Sequence, residues 1–221
     1  MTHGAQILDN PISGERFIFP ATAAETDGEV FTFDLVVGPD GRVPGGHVHP
    51  KQEERFEILA GVMRFWRGLR SIVAGPGDAV VIPPTTYHRF ANAGNEPAHV
   101  RVVVRPQLRM KQLFETAVAL AEEGRTLRTG MPKPLDLALF MREFREEIEA
   151  PVTPGLVRAL MAPLAWLGTK RGLDARYRSP QHPITRAPAP VRPGTGRSSG
   201  VAPHPSRPSS TRGARRPRSH R

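Results

Sequence analysis

Apolar and polar residues alternate with a period of two through the first half of the chain. Phe31, Phe33, Leu35 and Val37 alternate with Thr32, Asp34 and Val36, the pattern of a strand with one buried face. Gly38-Pro39-Asp40-Gly41 then turns the chain. Further strands are predicted over 54–59, 62–66, 70–73, 79–82, 88–91 and 98–104. They are separated by Ala60-Gly61, Gly75-Pro76-Gly77-Asp78, Pro83-Pro84 and Ala93-Gly94-Asn95. Many short strands at this spacing predict a small barrel or sandwich over residues 8–105.

The period changes after Arg105-Pro106. Leu113, Phe114, Ala117, Val118 and Ala121 recur at three and four residues, an amphipathic helix that Gly124 is placed to end. A second helix is predicted from Leu135 to Ala150, with Leu135, Leu139, Phe140, Phe144 and Ile148 on one face. A third is predicted from Pro154 to Gly168. These apolar stripes need a surface to cover, so residues 106–178 are expected to form a helical extension packed on the barrel or on a dimer partner. The charged run from Arg142 to Glu149 reads as a solvated helix face.

The formal net charge of +10 suggests nucleic acid until it is located. Nine arginines and no acid lie between His182 and Arg221, which leaves about +1 for residues 1–181. Proline, serine, glycine and arginine dominate that segment, so residues 182–221 are expected to form a disordered basic tail. It has no aromatic side chain to stack on bases, and no specific nucleic-acid partner is expected. There is no cysteine, hence no disulfide or thiolate ligand. Residues 1–6 lack the start of a secretory signal, and no stretch reaches the roughly eighteen apolar residues of a transmembrane segment. A cytoplasmic protein is expected.

The candidate chemistry lies in the strand region. His47 and His49 stand one residue apart, so on a strand both imidazoles face one way. Glu53 and Glu54 cannot both face that point. Glu54 is in step with Phe56 and Ile58, and Glu53 with Arg55 and Glu57, so Glu54 is expected inward. His88 is in step with Phe90 and Asn92 and is expected inward, with Tyr87 turned away. Three imidazoles and a carboxylate suit one divalent transition metal, Fe, Mn, Ni, Zn or Cu. Ordinary solvated strand histidines are the alternative. Phe33, Arg64, Trp66, Phe90 and Arg101 are candidates to line a pocket. They read more simply as barrel core for the aromatics and a solvated face for the arginines.

The full spacing is Gly41, five residues, His47-Val48-His49, four residues, Glu54, six residues, Gly61. It continues as Gly77, five residues, Pro83-Pro84-Thr85, two residues, His88, three residues, Asn92. This pair of motifs resembles the cupin superfamily. The wider pattern, from Asn10-Pro11-Ile12-Ser13-Gly14-Glu15-Arg16 to about Tyr177, is similar to bacterial single-cupin proteins with a helical C-terminal extension. Thr85 departs from the resemblance, since it stands where these motifs carry glycine. A different turn and a shifted His88 are the expected result. The resemblance implies a mainly β fold, a double-stranded β-helix (cupin jelly-roll barrel), with a metal inside held by His47, His49, Glu54 and His88. It does not fix a reaction. The reading is a metal-dependent enzyme, oxygenase first and isomerase or cyclase after it, on a small organic molecule, with a homodimer expected. A non-enzymatic binding module is the alternative, and no catalytic residue is assigned.

Overall fold

The computed structural model describes residues 5–20, 29–151 and 153–177, and the tail expected over 182–221 lies outside them. Among the described residues nine strands come first: β1 (Gln6–Asp9), β2 (Glu15–Phe19), β3 (Phe31–Val37), β4 (Glu53–Ala60), β5 (Met63–Arg67), β6 (Arg70–Ala74), β7 (Ala79–Ile82), β8 (His88–Asn92) and β9 (Ala98–Arg105). They pair antiparallel in two sheets, ordered β1-β2-β3-β9-β4-β7 and β6-β5-β8. The inner faces meet across the core, where the Phe56 ring lies 5.1 Å from Phe65 and 5.6 Å from Phe90. Phe31, Phe33, Leu35 and Val37 are all buried, and Thr32, Asp34 and Val36 lie between them on the less buried face. The fold is thus the double-stranded β-helix with three helices after it.

Arg64 and Arg101 belong to the outer surface, and Trp66, expected in the core with the other aromatics, lies there too because it alternates with the buried Met63 and Phe65. Arg101 donates to Asp34 at 3.0 Å, and the Arg89 guanidinium stacks 4.2 Å over the Trp66 ring. Phe33 and Phe90 are core.

α1 (Met110–Glu122), α2 (Pro134–Glu143) and α3 (Pro154–Lys170) follow. On α1, Leu113 and Val118 are buried, and Phe114 stacks on Phe17 at 4.6 Å and meets Phe33 edge-on at 5.1 Å. Burying a ring of that size is worth about 2 kcal/mol. No side chain of its own caps α1. The Glu147 carboxylate accepts the Arg109 amide at 3.0 Å instead, which places a negative charge at the helix N-terminus.

α2 ends seven residues before the Ala150 expected from its apolar stripe. Beyond Phe144 the backbone is taken by the barrel: Val48 and Glu149 exchange both amide hydrogen bonds, at 3.1 and 2.9 Å. A strand-like pairing cannot coexist with continued helix there. The run expected to be a solvated helix face is broken accordingly, and Glu147 is buried with 2% of its surface exposed. Among the described residues no helix is long and apolar enough to cross a membrane.

Candidate functional site

The segment after Gly41 runs antiparallel to β8, and His47 and His88 exchange amide hydrogen bonds at 3.0 Å each. His47 and His49 flank Val48 at strand spacing, so their side chains share one face, while the Val48 backbone pairs with Glu149. Glu54 comes from β4, paired with Ile82 on one side and Val104 on the other. The strand parity carried by Phe56 and Ile58 therefore turns Glu54 inward, where 4% of it is exposed, while Glu53 is less buried.

The four side chains converge. One ligand atom from each of His47, His49, Glu54 and His88 lies within 4.8 Å of all the others. The Glu54 Oε2 atom is 3.2 Å from His49 Nε2 and 3.0 Å from His88 Nε2.

Each imidazole is held from behind by a backbone carbonyl. His47 Nδ1 meets Gly45 O at 3.0 Å, His49 Nδ1 meets Glu147 O at 2.5 Å, and His88 Nδ1 meets Thr86 O at 3.1 Å. A carbonyl can only accept, so each Nδ1 carries the proton and donates it. Nε2 is left as the inward atom. His49 Nε2, His88 Nε2 and Glu54 Oε2 are buried without a well-formed hydrogen-bond partner. Buried polar atoms left in that state are costly unless something else fills the space between them. Three imidazoles oriented through Nδ1, with a carboxylate, match the donor set and outer support of a metal centre.

The four groups are electrostatically coupled: burial acts to lower His49, but the Glu54 carboxylate overcomes it and raises that imidazole above its ordinary value. Burial pushes His47 down to about 3, and the neighbouring His49 and His88 rings add to this, so its Nε2 lone pair is free at neutral pH. Burial acts to raise the Glu54 carboxyl, but His49 and His88 overcome it and hold Glu54 well below the usual carboxylate range.

Thr85 takes φ 63°, the left-handed conformation that a glycine in its place would supply. The expected change of turn does not occur. Its amide donates to the His49 carbonyl at 2.8 Å, and this bond ties the turn before His88 to the strand carrying the other two imidazoles. That contact offsets a strain of about 1–2 kcal/mol for a residue with a Cβ. Tyr87 turns away from the cluster, as parity requires, and its ring lies against Gly46.

The cluster opens on a chamber of about 260 Å³. Its walls are Phe17, Phe33, Leu35, Phe56, Phe90 and Val102 from the barrel, and side chains of all three helices, among them Phe114, Phe140 and Met161. The polar side chains in its lining are Asn10, Glu15 and Glu149, besides His47, His49 and Glu54.

Comparison with known proteins identifies the strand region. Residues 33–104 match the family model described as Cupin domain. This stretch is a cupin domain. No curated protein matches the chain. Among solved structures, it is similar to an uncharacterised conserved protein with a double-stranded β-helix domain from Klebsiella pneumoniae, at 22% identity and TM-score 0.35, over 37% of this chain and 70% of that one. KdgF from a Halomonas species matches at 15% identity and TM-score 0.42, over 47% and 89%. The nucleoside dehydratase Pac13 of Streptomyces matches at 12% and 0.41, over 50% and 83%.

Glu147 and Glu15 escaped the sequence reading. Glu147 was hidden in the apparent helix face, and nothing local marks it as the carbonyl behind His49. Glu15 opens β2 with 5% of its surface exposed, and burial pushes its carboxyl up to about 7, the Ser13 side chain pulling partly the other way.

A pH dependence follows. In the unfolded chain Glu15 ionises near 4.5, and in the fold near 7. Between these values the folded protein holds a proton that the unfolded chain has lost, so stability falls as pH rises through this window and levels off above it. The total loss is roughly 3 kcal/mol. Glu15→Gln should remove this slope. Melting temperatures of both proteins measured from pH 5 to 8 should diverge in favour of the variant, and parallel curves would refute the assignment.

Proposed function

We propose that this protein is a metal-dependent enzyme acting on a small organic molecule, with one divalent transition metal, Fe, Mn, Ni, Zn or Cu, held by His47, His49, Glu54 and His88. The observation that carries this reading is the orientation of the three imidazoles. Each donates Nδ1–H to a backbone carbonyl, His49 and His88 turn Nε2 to the Glu54 carboxylate, and His47 brings a ligand atom within 4.8 Å of the other three. The donor set of three nitrogens and one oxygen accepts any of these metals.

When bound, such a metal supplies a Lewis acid or an oxygen-activating centre with one or two coordination positions left for substrate or dioxygen. Oxygenation is the leading reaction class, with isomerisation and cyclisation after it. The chain's own residues do the rest: the Gly45, Thr86 and Glu147 carbonyls fix the imidazoles, and the apolar chamber excludes water. In the same reading the protein works as a homodimer, for which exposed Leu156, Leu160 and Trp166 on α3 offer an apolar face.

The scarcity of polar groups in the chamber favours a second reading, a non-enzymatic module in which the metal anchors a ligand. The test is metal analysis of the purified protein together with oxygen uptake and product analysis against a panel of small molecules. One ion per chain with turnover supports the enzyme. One ion with no turnover on the panel favours the binding module, and protein that takes up no divalent metal overturns both.

A further inference from the structure

Glu15 is a buried carboxyl for which neither the fold nor the four-residue cluster has an evident use. The other buried acids have clear partners. Asp136 pairs with Arg125 at 2.8 Å and accepts the Tyr177 hydroxyl, Glu147 accepts the Arg109 amide, and Glu54 faces two imidazoles. Among the described residues no cation pairs with Glu15, and its side-chain hydrogen-bond partner is Ser13. A leucine or glutamine would be cheaper to bury at that position, so keeping a carboxyl there calls for a reason beyond packing. Held neutral by burial, it offers an O–H donor to whatever occupies the chamber.

The strand register locates it relative to the cluster. Glu54 pairs with Val104 on β9, and Val104 pairs with Phe31 on β3. Glu15 pairs with Val37, at the other end of β3. The strand between Phe31 and Val37 is roughly 20 Å long at about 3.3 Å per residue. Phe33 and Leu35 lie between the two rows on the inner face, and both line the chamber. The opposite wall is Leu113, Phe114 and Ala117 of α1. The chamber is therefore long and apolar, with the cluster near one end and Glu15, beside Asn10, near the other. Its volume of about 260 Å³ compares with the ~150 Å³ of a cavity that takes up benzene.

We propose that the chamber takes an elongated, largely apolar molecule of about ten carbon atoms, a medium chain or fused ring system, and that Glu15 donates a hydrogen bond to a carbonyl or hydroxyl at the end remote from His47, His49, Glu54 and His88. This assignment rests on reading the chamber as the ligand site of the proposed function, and it names the class of ligand. Glu15 acts as a specificity residue. An anion at that end is disfavoured by the apolar walls, and a hydrocarbon end leaves the carboxyl unpaired.

The experiment is calorimetric titration of the full-length protein with methyl octyl ketone at pH 6, in parent and variants, with bound metal and melting temperature measured on each. The expected result is saturable binding to the parent. Affinity should stay within about threefold in Glu15→Gln, whose amide still donates, and fall about tenfold in Glu15→Leu, the loss of one net hydrogen bond. Ala117→Trp, which fills the chamber, should abolish binding, and metal content should be the same throughout. Equal affinity of the parent and Glu15→Leu would overturn the proposal, as would a folded parent that does not bind the ketone. Should the parent bind no metal yet take up the ketone in a Glu15-dependent way, the enzyme reading falls and the chamber assignment stands.

Discussion

The His47→Ala, His49→Ala double variant will carry no bound divalent metal, against one ion per chain in the parent. The two residues supply half of the converging donors, and what remains, Glu54 and His88, is a carboxylate and one imidazole from different sheets. Removing the rings also frees the carbonyls of Gly45 and Glu147 that oriented them. Stability should report the same loss. A ligand that binds only the folded state stabilises it by about 4 kcal/mol when present at a thousand times its dissociation constant. The parent should therefore melt markedly higher with added metal, and the double variant should not respond. Elemental analysis and paired melting curves check both points. A variant that still holds one ion per chain would mean that the metal sits elsewhere.

The faces of Glu54 and His88 were legible in the sequence because a strand with one buried face cannot slip by a single residue without exposing its core. That constraint turned Glu54 inward rather than Glu53, and it set His88 in step with Phe90. The positions that were not legible depend on partners far away in the chain. Glu147 looked like part of a charged helix face, but its carbonyl is claimed by His49, 98 residues earlier. The end of α2 could not be foreseen for the same reason, since it is set by the pairing of Val48 with Glu149. Thr85 was misjudged because steric preference alone argued against a positive φ, and the amide bond to His49 that offsets it is invisible in the local sequence. The chamber is non-local throughout: Phe17 and Phe114, stacked in its wall, belong to a strand and a helix in separate parts of the chain.

Gly61→Ala should be among the most damaging single substitutions in the barrel, and Gly77→Ala shows why. Both glycines punctuate the two motifs, and both have a positive φ, 76° and 90°. A side chain at either position carries the strain of the left-handed region, about 1–2 kcal/mol. At Gly77 nothing lies within 4 Å of an added Cβ, so strain is the whole cost. At Gly61 the added Cβ would come 2.6 Å from the Ala98 Cα, 2.9 Å from its Cβ and 3.0 Å from the Pro97 carbonyl. The first and last of these are backbone atoms that no rotamer can move. Relief requires the start of β9 to shift away from β4, which adds about 1–3 kcal/mol of overpacking. The expected total is roughly 3 kcal/mol, or a fall in melting temperature of about 6–12 °C for a domain of this size. Gly77→Ala should fall by about a third to a half as much. Glu54 lies at the far end of the β4–β9 ladder, beyond the irregularity between Ile58 and Ala60, so metal content below the melting transition should be unchanged in both variants. Equal destabilisation of the two proteins would show that β9 yields freely, and that the contact between Gly61 and Ala98 does not hold the register.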